Sequence, residues 1–110
     1  MNIQIFGKPK SFDTKKAERY FKERRIKFQA IDLAKTGISK GELTSVLRSV
    51  PLEDLLDPDH RDAALVAYLA YPEDKVEKVL ADGTLLRAPI VRNGKQATVG
   101  YQPEVWKTWE

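Results

Sequence analysis

The stretch LLRAPIVRNGKQATVGYQPEVW, residues 85–106, carries the densest structural signal in the chain. Leu85 to Val91 reads as a strand, Asn93-Gly94 as a two-residue hairpin turn and Gln96 to Val99 as the antiparallel return strand. Pro103 and Glu104 then open a terminal helix, because proline loses nothing in a first helical turn and an acid complements the helix dipole there. Val105, Trp106 and Trp109 are the residues expected to pack that helix on the sheet.

Working outward to the N-terminus, Ile3 to Phe6 forms a short alternating apolar run that ends at Gly7 and Pro9, as a strand entering a turn does. From Ser11 onward, Phe12, Ala17, Tyr20 and Phe21 make an approximate helical stripe, with Lys15, Lys16, Glu18, Arg19, Lys22 and Glu23 on the wet side. Phe28 to Leu33 supplies a second strand, which makes the opening a β-α-β unit with a parallel strand pair. Between the halves lies a helical insert at about 38–81. Ser39 and Glu42 form a capping box, and Leu43, Val46, Leu47 and Val50 fall at the spacing of one buried helical face that Pro51 halts. Leu52, Leu55 and Leu56 suggest a further turn, Asp57-Pro58-Asp59 a polar break, Asp62 to Ala70 a helix, and Pro72-Glu73-Asp74 the start of another, continued by Val76, Val79 and Leu80.

Composition narrows the function classes. The 110 residues include 42% hydrophobic side chains, enough for a single-domain core spanning 1–110. No run approaches the roughly 18–20 apolar residues of a membrane span, and MNIQIFGKPK lacks the features of a signal peptide, so a cytoplasmic protein is expected. Nineteen Lys and Arg against sixteen acids give +3, an excess read as too small and dispersed for direct sequence-specific nucleic-acid binding. There is no cysteine, so no thiol or disulfide chemistry can come from these residues.

The order βαβ, helices, ββα resembles the ArsC/Spx/YffB family of arsenate reductase-like proteins, and the likeness spans nearly the whole chain. It is carried by IFGKPKSFDTKKA, residues 5–17, and by the Pro89 strand, hairpin and Val-Gly-Tyr-x-x-Glu ending within residues 85–106. The resemblance implies an α/β, thioredoxin-like fold with a four-stranded mixed sheet flanked by helices, and a cis peptide bond before Pro89. It places Ser11 where the family's reactive cysteine belongs and Thr14 where some relatives carry a second one. It also places Ala88 at the arginine preceding the proline, and Asp57 at the arginine that arsenate reducers carry in the insert. Arsenate reduction needs a thiolate and a fork of guanidinium donors, and neither is present at those positions.

Lys10, Ser11, Arg87 and Pro89 are therefore candidates for anion or ligand binding rather than catalysis. Ser11 reads first as a helix N-cap. His60 reads as a solvated loop residue, and Asp57, Asp59 and Asp62 as loop polarity, since they lack the glycine and distal glutamate of a calcium loop; no metal site is expected. Arg19, Lys22, Arg24 and Arg25 cluster where cations favour a helix C-terminus. Three roles follow from the resemblance. The first is a cysteine-free protein on a thioredoxin frame, either a binding module or a protein of unassigned role, with no cofactor unless glutathione and with a small anion, glutathione or a protein as partner. The second is an arsenate reductase-like or glutathione-dependent enzyme that borrows an external thiol. The third is an Spx-like regulator docking on RNA polymerase through a glycine-bearing surface of the insert, to which neither Gly37 nor Gly41 clearly corresponds.

Overall fold

In the computed structural model, which describes residues 1–109, one four-stranded sheet runs in the order β2-β1-β3-β4. Its strands are β1 (Ile3–Gly7), β2 (Phe28–Asp32), β3 (Ile90–Asn93) and β4 (Gln96–Val99). β1 pairs with β2 in parallel and with β3 antiparallel, and β3 pairs with β4 antiparallel. The helices are α1 (Phe12–Glu23), α2 (Lys40–Leu47), α3 (Leu52–Leu55), α4 (Ala63–Ala67), α5 (Pro72–Ala81) and α6 (Pro103–Trp106). A thioredoxin-like mixed α/β architecture is thus what the chain adopts.

Every residue of β1 is buried because the strand is central and both of its faces are covered. The two-residue period of the strand divides the core in two. Ile3 and Ile5 join Val91, Ala17, Phe21 and Trp106 on the side of α1 and α6, while Phe6 and Ile90 join Leu43, Val46 and Val79 on the side of the insert. Trp106 is fully buried, its rim packed on Tyr20, Phe21 and Tyr101 and its Nε1–H donated to Thr98 Oγ1 at 2.8 Å, so the large ring enters the core with its one polar atom satisfied. On the insert side, Glu42 closes the capping box on Ser39 and also accepts from Gln4 Nε2 at 2.9 Å; Gln4 Oε1 in turn accepts from Arg92 Nε at 2.8 Å. Burial pushes the Glu42 carboxyl up, but these donors and the Arg92 charge outweigh it and hold the group below the usual range.

The sequence expectations are corrected at five places. Phe12 is 79% exposed, so the buried stripe of α1 consists of Thr14, Ala17, Tyr20 and Phe21. Leu85 lies in a 3₁₀ turn (Gly83–Leu85) and the strand starts only at Ile90, directly after Pro89, whose missing N–H cannot extend a ladder. Asn93 pairs with Gln96, which leaves Gly94-Lys95 as the hairpin loop; Gly94 takes φ +59° at the first central position, where a type II′ turn requires glycine. The helix expected over Asp62 to Ala70 is confined to α4, Ala63–Ala67. Val105 faces outward while Trp106 is buried and Trp109 packs partly against the same cluster.

α1 ends in a Schellman arrangement. Ile26 N–H donates to Phe21 O at 2.9 Å and Arg25 N–H to Lys22 O at 3.0 Å, with Arg25 itself at φ +58°. An arginine here occupies a conformation suited to glycine, and its neighbour Arg24 lies 3.7 Å above the Tyr20 ring. Two members of the basic cluster thus terminate α1 and brace its aromatic core.

Candidate functional site

The antiparallel register sets Ile90 opposite Phe6, so the residues just after β1 and those just before β3 emerge at the same end of the sheet. Lys8, Lys10 and Ser11 come from the first loop and Arg87, Ala88 and Pro89 from the second. The Ala88–Pro89 peptide is cis, as the resemblance implied, and Pro89 O accepts from Gly100 N–H at 2.8 Å.

Ser11 is the N-cap of α1: its Oγ accepts from Thr14 N–H at 3.1 Å, and its own N–H donates to Lys8 O at 3.0 Å. Thr14, the position matched to a second cysteine in some relatives, is buried and structural. Its Oγ1 accepts from Lys8 N–H at 3.3 Å, and its methyl fills the space where a Cβ on Gly7 would come within 2.3 Å. Lys10 and Arg87 are exposed, and the Arg87 backbone N–H is fixed to Leu55 O at 2.7 Å.

The charge that dominates this end of the sheet is neutralised within the chain. Lys8 Nζ lies 2.8 Å from Asp57 Oδ2 and 3.0 Å from Thr84 O, bridging the β1–α1 loop to the loop after α3 and to the turn after α5. Asp57 also accepts from Asp59 N–H at 2.9 Å and donates its own N–H to Leu85 O at 2.8 Å. Burial raises the Asp57 carboxyl, but the Lys8 and Asp59 hydrogen bonds and the charges of Lys8 and Arg87 bring it below the ordinary carboxylate range. The position that the resemblance matches to an oxyanion-holding arginine therefore carries an anion locked onto a lysine.

His60 corrects its expectation as a solvated loop residue. Its side chain is 14% exposed; Nδ1 accepts from Asp62 N–H at 3.0 Å, which leaves Nε2 to face Asp82 Oδ2 and Thr84 Oγ1, each at 3.2 Å. Asp82 is held below the ordinary range chiefly by the Thr84 hydroxyl, against burial, with Thr84 N–H and His60 assisting. Lys8, Asp57, His60, Asp82 and Thr84 thus form one connected polar lock. Sequence reading missed it because its partners lie 22 to 76 residues apart. Asp57, Asp59 and Asp62 serve as backbone acceptor, loop and helix lead-in, and among the described residues no group of three His, Cys, Asp or Glu is placed to hold a metal.

A cavity of about 230 Å³ opens beside the same loop, toward β2, between Ile5, Lys8, Thr14, Lys15, Glu18 and Ile31. Ser11, Arg87 and Pro89 do not line it.

The strand order, the cis-proline loop and the inserted helices together define a thioredoxin-like α/β fold. Three solved structures show the match. An ArsC family related protein from Bacteroides fragilis aligns over 100% of this chain and 98% of its own, with TM-score 0.84 and 17% identity. An arsenate reductase from Vibrio cholerae aligns over 96% and 94%, with TM-score 0.79 and 20% identity. An arsenate reductase (ArsC) related protein from Brucella melitensis aligns over 99% and 94%, with TM-score 0.64 and 22% identity. At such identities the likeness defines the fold and leaves the activity open. No protein-family model and no curated protein sequence matches the chain. Among the described residues no helix is long and apolar enough to cross a membrane.

Proposed function

We propose that this chain is a non-redox binding module on a thioredoxin-like frame. The observation that carries the reading is that both positions the resemblance assigns to chemistry are engaged within the chain: the Ser11 hydroxyl, at the position matched to the reactive cysteine, is a helix cap, and Asp57, at the position matched to an oxyanion-holding arginine, is paired with Lys8. A serine without a neighbouring base is a weak nucleophile, and His60 is turned toward Asp82 and Thr84. The exposed cations Lys10 and Arg87 flank this end of the sheet and suit a small anion or the carboxylates of glutathione, held reversibly. The competing enzymatic reading, in which glutathione supplies the thiol, predicts turnover.

Two measurements separate them. The natural chain supplied with arsenate and glutathione is expected to show no reduction above the protein-free rate, and turnover that falls in Arg87→Ala would overturn the proposal. Thermal shift against glutathione, sulfate, phosphate and arsenate is expected to raise the melting temperature for at least one ligand, because a ligand that binds only the native state stabilises it. That rise is expected to disappear in Lys10→Ala/Arg87→Ala. A rise unchanged in the double variant would place the ligand elsewhere and refute the assignment of these two cations.

A further inference from the structure

The net charge of +3 conceals a sharp segregation. Residues 51–82 carry nine acids and three Lys or Arg, a net −6 with His60 neutral, whereas the rest of the chain carries sixteen Lys or Arg and seven acids, a net +9. Within the acidic segment, Leu52, Leu56, Pro58, Ala63, Ala64 and Ala67 line a groove of about 320 Å³, and Glu53 and Lys75 are the charged residues that line it with them. The same segment leaves Leu65, Tyr68 and Tyr71 at 69, 88 and 62% exposure, a concentration of large apolar side chains in water that marks interaction surfaces. Asp57 and Asp82 are engaged in the polar lock, but Glu53, Asp54, Asp59, Glu73 and Asp74 are exposed.

We infer that this groove docks a cationic amphipathic helix of another protein. Apolar side chains one turn apart would enter between α3 and α4, and the flanking Lys or Arg would meet Glu53 and the exposed carboxylates of the surrounding segment, whose net −6 already counts Lys75. An anionic partner such as nucleic acid or an acidic lipid surface is repelled by the net −6. A second copy of the chain fits poorly as occupant. Its basic helix α1 exposes Phe12 as a large apolar side chain, but Ala17, Tyr20 and Phe21 are buried, so the helix offers no row of anchors. The inference stands apart from any ligand at Lys10 and Arg87.

The test is fluorescence anisotropy of a labelled Leu/Lys model helix titrated with the full chain, beside a Lys/Ser peptide of equal charge and a Leu/Glu helix of equal pattern. The Leu/Lys helix is expected to bind at least about tenfold more tightly than the Lys/Ser peptide. Its affinity should weaken as salt rises from about 50 to 300 mM. Ala64→Arg, at an exposed position, is expected to weaken it about tenfold while leaving the melting temperature unchanged. Glu53→Gln/Asp59→Asn, which leaves the groove's shape intact, should weaken it severalfold, and Phe12→Ser on α1 should not alter it. Equal binding of the Lys/Ser peptide, or full Leu/Lys affinity in both groove variants, overturns the proposal. So does Leu/Glu binding that is lost in Ala64→Arg. Self-association by light scattering that Ala64→Arg abolishes would give the groove to a second copy and equally refute the inference.

Discussion

Replacing Asp57 by Asn tests whether the Lys8–Asp57 pair holds the β1–α1 loop against the insert. The pair is short at 2.8 Å and its side chains are 22 and 25% exposed, which places it between a surface ion pair and a buried one. A hydrogen bond to a charged group contributes about 1.5–3 kcal/mol when well buried, and discounting for the exposed quarter leaves about 1–1.5 kcal/mol. With an unfolding entropy of about 2.1 cal/mol/K per residue, each kcal/mol corresponds to about 4 °C over a chain of this size, so Asp57→Asn is expected to melt about 4–6 °C lower at pH 7. The sign with pH follows from linkage. Asp57 is depressed in the folded state, so its contribution is complete above the unfolded carboxylate range and lost as pH falls through the lower folded value. The gap between parent and variant, measured by calorimetry from pH 7 down to about pH 3, should therefore close at acid pH. A Lys8→Met/Asp57→Asn cycle should return a coupling of about 1 kcal/mol. Equal melting at pH 7, or a gap of constant size at every pH, would refute the lock.

Three further outcomes follow from the packing. Arg25→Gly should stabilise the chain by about 0.5 kcal/mol in urea unfolding, because relief of a left-handed arginine exceeds the added freedom of the unfolded glycine. Gly83→Ala should cost about 2–3 kcal/mol in the same assay, since the new methyl would lie 2.4 Å from Leu33 O and 3.2 Å from Gly37 Cα, both backbone atoms that cannot swing away. Stability of the parent should fall as pH drops below about 4, because Glu42, Asp57 and Asp82 all sit below their ordinary values; flat stability from pH 7 to 3 by thermal denaturation would contradict those environments.

Much of the frame was legible because its signals are local. The Ser39–Glu42 box, the Ser11 cap, the β-α-β period and the proline opening α5 each sit within a few residues of the structure they specify. The hairpin turn moved by one residue because Asn-Gly marks a turn without fixing which pair is central, and Gly94 served as the first central residue. Leu85 read as strand because its apolar run continues into Ile90, yet Asp82 caps Thr84 N–H and winds the chain into a 3₁₀ turn first. At the candidate site, Ser11 was readable as a cap, whereas Asp57 and His60 looked like loop polarity. Their partners Lys8, Asp82 and Thr84 are brought to them by the fold, and no periodicity in one sequence announces such pairings. The charge segregation was present in the residue order, but a whole-chain total of +3 averages it away.

The central claim is that the backbone frame at the head of α1 is intact although the nucleophile it would present is missing. Ser11→Cys puts a thiol at a helix N-cap where the Thr14 backbone N–H already donates to the side chain of position 11. Measured by the pH dependence of alkylation, that thiol is expected to titrate clearly below the ordinary cysteine value of about 8.5, in a variant that melts cooperatively like the parent. A thiol titrating at or above that value in a folded variant would contradict the account.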